Sequence, residues 1–329
     1  MQVALATWQE LPGLSEDDRE LLPELEALGI SASPAVWSDR SVDWSAFDAI
    51  VLRSTWEYYR QIQEFLAWVE RASAETVLWN PAGIVRWNSH KSYLLDLEGA
   101  GVPVVPTRIC RDLPEAVETV RKERWARAVL KPAVSAGAHR THLVERGSLA
   151  DPPVSWSDLA DVGEILVQPY QAEVERRGER SLVFFLGEYS YAFLRAPHLV
   201  RNPGMVEGTP IAPSEEELGI ARQALASAPG RTLYGRVDLV PTSSGGSRVM
   251  ELEVIEPFLG LKSSEHGART FARAISSVLW AAPPRRDRSK VLRSAGLRGA
   301  VEAVGERIGQ AAGGQVEHRE ESRLRRGPA

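Results

Sequence analysis

The strongest constraint in this 329-residue chain is the segment running from Leu233 to Pro257. Leu233-Tyr234-Gly235-Arg236-Val237-Asp238-Leu239-Val240 is followed by the turn PTSSGGS, then by Arg248-Val249-Met250-Glu251-Leu252-Glu253-Val254-Ile255-Glu256-Pro257. Both arms alternate with period two, as half-buried strands do. Val237, Leu239, Met250, Leu252 and Val254 share one face, and Arg236, Asp238, Glu251 and Glu253 share the other. A symmetric turn centred on Ser244-Gly245 sets Asp238 opposite Glu251 and Arg236 opposite Glu253, with Cβ atoms roughly 5 Å apart. Directly opposed like charges destabilise a sheet, and one arginine cannot neutralise three acids. A hard divalent cation resolves the conflict, because Mg²⁺ takes carboxylate oxygens and keeps positions open for phosphates. The plain alternative is a solvated polar face laced with salt bridges. Three acids and an arginine converging on one spot favour the cation.

The remainder reads as α/β early and α+β later. Val3–Ala6, Ala49–Arg53 and Thr76–Trp79 are predicted strands, with helices from Ser15 to Gly29 (kinked or split by Pro23) and over Ile62–Ala72. This is a small open parallel sheet flanked by helices. A helix over Lys91–Leu97 and the extended Val102–Val105 complete a first part, residues 1–110. A central part, 111–168, holds a helix from Leu113 and strands at Ala128–Lys131 and Ile165–Gln168. Strands at Ser181–Phe185, Tyr189–Leu194, Leu233–Val240 and Arg248–Ile255 form a mostly antiparallel third part, 169–282. Helices Glu215–Ala226 and Glu265–Leu279 flank its last hairpin. Residues 285–329 hold 11 Arg or Lys against 6 Asp or Glu, and 283–329 reads as an appended helix and tail without a role in the chemistry.

The net charge of −5 and a pI near 5.8 argue against nucleic acid or an anionic membrane as main partner. MQVALAT carries no positively charged lead, and no apolar run is long enough to span a bilayer. The single Cys110 suits a reducing compartment. The expected location is the cytoplasm, as a monomer or a homodimer. A dinucleotide-binding reading fails, because the first strand–helix turn lacks a Gly-x-Gly-x-x-Gly cradle. Only five lysines occur, Lys91, Lys122, Lys131, Lys262 and Lys290. Lys131 ends an apolar strand just before the small-residue loop AVSAGAHRT, where a point charge and free backbone N–H groups suit phosphates.

Arg-Val-Asp followed by ELEVIEP resembles the C-terminal metal hairpin of ATP-grasp enzymes, the group containing D-alanine–D-alanine ligase and bacterial glutathione synthetase. The resemblance spans Asn88–Phe258. It implies the ATP-grasp fold, in which an N-terminal open parallel α/β domain precedes two lobes that clasp ATP. Asp238 and Glu251 are then ligands of Mg²⁺, one ion or two, with Mn²⁺ able to substitute. Glu253 stands where the family usually has Asn, which keeps an oxygen ligand and adds a negative charge. Arg236 and Arg195 correspond to arginines facing phosphate or a tetrahedral intermediate. Asn88-Ser89-His90-Lys91 and Ala128-Val129-Leu130-Lys131-Pro132 resemble the segments supplying two lysines to the ATP phosphates, with Ser135 in the loop beyond. Ile165-Leu166-Val167-Gln168-Pro169-Tyr170 resembles the adenine linker, in which adenine bonds the Gln168 amide and the backbone at Pro169 and Tyr170. Glu179 resembles the acid that holds the ribose.

Arg53-Ser54-Thr55-Trp56-Glu57-Tyr58 ends a strand at the carboxyl side, where open α/β sheets take ligands. Arg53 could pair bidentately with a substrate carboxylate, and Trp56 could wall the pocket. Arg201 and Glu256 complete the substrate side. This RSTW-x-Y element is similar to the subgroup containing the cyclo-ligase that closes O-ureidoserine to cycloserine. The activity implied is carboxylate–amine ligation through an acyl phosphate, forming ADP and phosphate from a small amino-acid-like substrate, possible also within one molecule. A small-molecule kinase would share every nucleotide residue, and a silent ATP-binding protein should lack a hairpin acid. No acid is missing.

Overall fold

Apolar runs without alternation belong to strands covered on both faces, and β1 (Gln2–Thr7) and β3 (Ala49–Ser54) are of this kind. In the computed structural model, which describes residues 1–149, 154–196 and 208–281, they form the centre of a four-stranded sheet. Its order is β2-β1-β3-β4, with β2 (Ser31–Val36) and β4 (Val77–Trp79) at the edges and every pair parallel. Strand β2, SASPAV, was absent from the sequence reading. Its Ser and Pro residues are poor strand formers, and Pro34 is tolerated because the strand lies at an edge.

The expected Ser15 cap is present, with Ser15 Oγ accepting from the Asp18 N–H at 3.0 Å. Only a 3₁₀ turn follows before α1 (Leu21–Glu26), which has Pro23 in its first turn, where a missing N–H costs nothing. Helix α2 (Ile62–Glu75) packs Phe65, Trp68 and Val69 onto one face of the sheet. Helix α3 (Ala82–Asn88), also unforeseen, precedes α4 (Tyr93–Gly99).

The second sheet is antiparallel, ordered β5-β8-β6-β7, with β5 (Arg108–Cys110), β6 (Arg127–Pro132), β7 (His142–Glu145) and β8 (Ile165–Pro169). Strand β5 therefore joins the central sheet although it falls before residue 111. Helix α5 (Leu113–Glu123) covers this sheet through Ala116 and Val120. After α6 (Glu173–Arg177) comes the third sheet, β11-β10-β9-β12-β13, also antiparallel. Its strands are β9 (Glu179–Phe185), β10 (Glu188–Arg195), β11 (Thr209–Ile211), β12 (Tyr234–Pro241) and β13 (Ser247–Glu253). Helix α7 (Glu215–Ala226), started by a Ser214/Glu217 capping box, packs on one face, and α8 (Gly267–Ala281) on the other. Val3, Leu5, Val183, Tyr234 and Phe271 share one core, so the first sheet is bonded to the third through packed side chains.

Met1–Trp280 forms one compact unit. Among the described residues no helix is long and apolar enough to cross a membrane. The expected appended helix and tail, 283–329, lie outside the described residues.

Candidate active site

Strands β12 and β13 pair in the register expected at the acids, Asp238 with Glu251 and Arg236 with Glu253. The turn is different. It centres on Ser244, with Thr242 N–H donating to Gly246 O, and a bulge shifts the pairing to Leu239 with Val249. Met250 is left over, and it lines the cavity beside Glu251 instead of joining the apolar face.

The outer edge of β13 meets the backbone of residues 103–105 at Val249, whose N–H donates to Pro103 O and whose carbonyl accepts from Val105 N–H, and further along it is satisfied by side chains. Asn88 accepts from Val254 N–H and donates to Leu252 O, Tyr93 Oη accepts from Leu252 N–H, and Asn80 donates to Val254 O. The metal hairpin is thereby fixed to the α3–α4 region, next to Lys91.

One carboxylate oxygen each from Asp238, Glu251 and Glu253 lie within 4.8 Å of one another. Arg236, 1 % exposed, grips Asp238 through Nε (2.9 Å) and Nη2 (2.8 Å), and Nη2 also reaches Glu253 at 2.6 Å. Arg195 Nη1 lies 3.2 Å from Asp238, and Ser181 Oγ donates to it at 2.6 Å. Lys91 ion-pairs with Glu251.

Burial opposes charge at every one of these groups, and the neighbours decide the outcome. For Asp238, Arg236 and Arg195 outweigh burial and lower the pKa. For Glu251, Lys91 and Lys131 outweigh burial and hold it down to about 2. For Glu253, burial prevails over Arg236, with Glu251 and Asp238 adding to it, and the pKa is raised. Two acids with lowered pKa and a third raised chiefly by burial form a donor set of hard oxygens. That set fits a divalent cation of the magnesium type.

A cavity of about 480 Å³ opens in front of the hairpin. Lys91, Lys131, Ser135, Gln168, Pro169, Tyr170, Glu179, Arg195 and Arg236 all line it, so positions 145 residues apart in sequence meet on one wall. Burial lowers the pKa of Lys131, whereas Glu251 and its neighbours outweigh burial at Lys91 and raise it. Burial pushes Glu179 up to about 7 against the pull of Arg195, whose Nη1 is 3.9 Å away.

Local bonding amends three expectations for the nucleotide wall. Tyr170 N–H donates to Arg127 O, so it cannot serve adenine; Gln171, the next residue, also lines the cavity. Gln168 Nε2 donates to Thr107 Oγ1 at 2.9 Å, which orients the amide from behind. Ser135 Oγ donates to Pro132 O at 3.0 Å and braces the loop.

Arg53 requires correction. It is 1 % exposed, lies outside the cavity wall, pairs with Asp18 at 2.8 Å and donates to Pro257 O at 2.8 Å. Its guanidinium sits 5.1 Å from the Tyr234 ring. A substrate carboxylate has no access to it, because the strand end that carries it is covered by the third sheet and α8. Trp56 does line the cavity and donates from Nε1 to Glu256 O at 3.1 Å, and Glu256 lines it too. Arg201 lies outside the described residues. The sequence reading missed Trp8, Glu57, Tyr59 and His139 on this wall, with the His139 ring 4.8 Å from that of Tyr59 and tilted 38° to it. Trp8 and Glu57 do stand at carboxyl ends of parallel strands, the signal that singled out Trp56.

Residues 3–80 match the model of the D-cycloserine synthetase DcsG N-terminal domain. The chain is 36% identical over 288 residues to the cycloserine biosynthesis protein DcsG of Streptomyces lavendulae, covering 80% of this chain and 94% of that protein. The crystal structure of D-cycloserine synthetase DcsG superposes with a TM-score of 0.77 at 33% identity, covering 85% of this chain and all of that one. A RimK domain ATP-grasp protein from Sphaerobacter thermophilus follows at a TM-score of 0.63 and 20% identity, covering 84% and 100%. The chain has the ATP-grasp fold and belongs to the family of the cycloserine biosynthesis protein DcsG.

Proposed function

We propose that this protein uses ATP to convert the carboxylate of a small amino-acid-like substrate into an acyl phosphate, which a nitrogen then attacks, releasing ADP and phosphate. The observation that carries this reading is one cavity whose wall brings Glu251 and Glu253, with Asp238 just behind them, together with Lys91, Lys131, Arg195 and Arg236. Such a set neutralises and aligns transferring phosphoryl groups, and positioning with charge neutralisation supplies most of the rate in this chemistry.

Mg²⁺, as one or two ions and replaceable by Mn²⁺, would be held by the three acids and would offset the charge of the phosphate oxygens. Lys91, resting on Glu251, is shared with the phosphates, and Lys131 reaches them from β6. Glu179 accepts from the ribose, and the Gln171 N–H and Pro169 carbonyl serve adenine. Arg195 and Arg236 stabilise the oxyanion of the tetrahedral intermediate. In this reading the first sheet is the part preceding the clasp, and the second and third sheets are the two lobes.

Similarity to cycloserine proteins favours an intramolecular closure of an O-ureidoserine-like substrate, in the cytoplasm and without nucleic acid. The competing reading is a small-molecule kinase. Hydroxylamine added during turnover should trap the acyl phosphate as a hydroxamate, and ¹⁸O in the substrate carboxylate should appear in inorganic phosphate. A stable phosphorylated product without label transfer would refute the ligase.

A further inference from the structure

Three consecutive carbonyls at the end of the metal hairpin are each held by a side chain from elsewhere. Glu256 O accepts from Trp56 Nε1 at 3.1 Å, Pro257 O from Arg53 Nη2 at 2.8 Å, and Phe258 O from Arg236 Nη1 at 2.6 Å. Two of those donors are arginines only 1 % exposed. Such clamping gives Glu256 a fixed backbone, and Trp56 ties it to the wall opposite the phosphate lysines.

The side chain so positioned is anomalous. Glu256 is 8 % exposed and lines the cavity, yet no lysine, arginine or histidine among the described residues forms an ion pair with it. Among the described residues no side chain donates a hydrogen bond to its carboxylate, and its own backbone N–H offsets burial only in part. A buried carboxylate without a partner is costly, and burial together with Glu253 pushes its pKa well above the ordinary range. It is not a fourth metal ligand, because the oxygens close enough to share one ion come from Asp238, Glu251 and Glu253. Lys91 is already engaged with Glu251. Beside Lys91, Glu251 and Glu253, its neighbours on the wall are aromatic: Trp56 and Tyr58 line the same cavity, and Glu256 is the acid that most raises the Tyr58 pKa after burial itself. A carboxylate beside aromatic faces is the chemistry that receives an organic cation.

We infer that Glu256 is the specificity-determining anchor for an ammonium group on the substrate, admitting α-amino acids and discriminating against the same acids without the amine. The inference rests on the ligase reading. In an α-amino acid the ammonium nitrogen is two bonds from the carboxyl carbon. An anchor for it must therefore stand next to the phosphate-transfer centre without belonging to it. Glu256, three residues after Glu253, occupies that position. Because the ammonium takes no part in the bond changes, its contact is equal in ground and transition states and acts on KM rather than kcat.

The test compares wild type with Glu256→Gln and Glu256→Asp in substrate-dependent ADP release, using O-ureidoserine of each configuration and 3-(ureidooxy)propanoic acid, the same molecule without the amine. Loss of a charge-assisted contact should raise KM for the amino acid roughly 10- to 100-fold in the glutamine variant, with kcat changed only a few-fold. KM for the des-amino acid should not move, and the aspartate variant should recover part of the loss. Stabilisation by Mg·ATP in a thermal melt verifies that the variants are folded. Should neither variant fold, wild type alone decides: it must prefer the amino acid over the des-amino acid. Equal KM values for the two acids in wild type, or an unchanged KM in Glu256→Gln, overturn the inference while leaving the ligase reading intact. No ADP release with either acid refutes an O-ureidoserine-like substrate and the inference with it.

Discussion

Asp238→Asn separates the two electrostatic accounts of the hairpin. Opposed carboxylates considered alone suggest that removing a charge relieves repulsion and stabilises the protein without metal. The structure gives the opposite sign. Asp238 lies 2.8 Å from Arg236 and 3.2 Å from Arg195, against acids up to 4.8 Å away. With an effective dielectric of about 20, the two attractions amount to about 11 kcal/mol and the two repulsions, taken at the 4.8 Å limit, to at least about 7 kcal/mol. The attractions therefore lead by at most about 4 kcal/mol, and a buried ion pair that loses one partner typically costs roughly 3–5 kcal/mol. The lowered pKa of Asp238 agrees in direction, since Arg236 and Arg195 prevail there over burial. A depressed carboxyl pKa contributes stability above the unfolded value of 3.8, and this is lost as pH falls through the folded value. The asparagine variant should therefore melt roughly 6–15 °C below wild type in chelator-treated buffer at pH 7. The gap should hold down to about pH 4 and close below it. ADP release should fall at least 10²-fold, the scale for losing one preorganised charge contact. An unchanged or higher melting temperature in the variant would refute the argument that the arginines outweigh the acids. Full turnover would remove the hairpin from the chemistry.

Glu253→Gln should act in the reverse sense on stability. Its raised pKa means the folded protein loses stability as pH rises, so the variant should melt above wild type at pH 8 and alike near pH 4 without metal. A lower melting temperature at pH 8 would count against this. Glu179, pushed up to about 7 by burial, costs at most about 3 kcal/mol above that pH. Glu179→Gln should gain melting temperature progressively between pH 5 and 8 while ATP binds more weakly by calorimetry, and a pH-independent difference would contradict it. Asp18→Asn leaves Arg53 buried without its partner and should cost about 3–5 kcal/mol in denaturant titration, with KM for the carboxylate within a few-fold of wild type. A large KM increase without loss of stability would restore Arg53 as a substrate anchor.

Features that depend on local pattern are legible in the amino-acid order. Strict alternation in Arg236–Asp238 and Glu251–Glu253 sets which side chains share a face, whereas the opposition of Asp238 and Glu251 needs the turn and its bulge together. Apolar runs at Val3–Ala6 and Ala49–Arg53 announce a covered parallel sheet, and Lys91 and Lys131, singled out by the segments that carry them, both line the cavity. Tertiary structure decided what lies between distant segments. Ser181 reaches Asp238 only because β9 is the strand beside β12, a choice no periodicity encodes. The bulge that turns Met250 to the cavity depends on one residue in the turn, and a one-residue change in register reverses the face of every side chain beyond it. Arg53 is the clearest case. At the carboxyl end of a strand a guanidinium is equally suited to a ligand or to a buried acid. Asp18, Tyr234 and Pro257 meet there only when the first and third sheets pack, and that packing commits it to the interior.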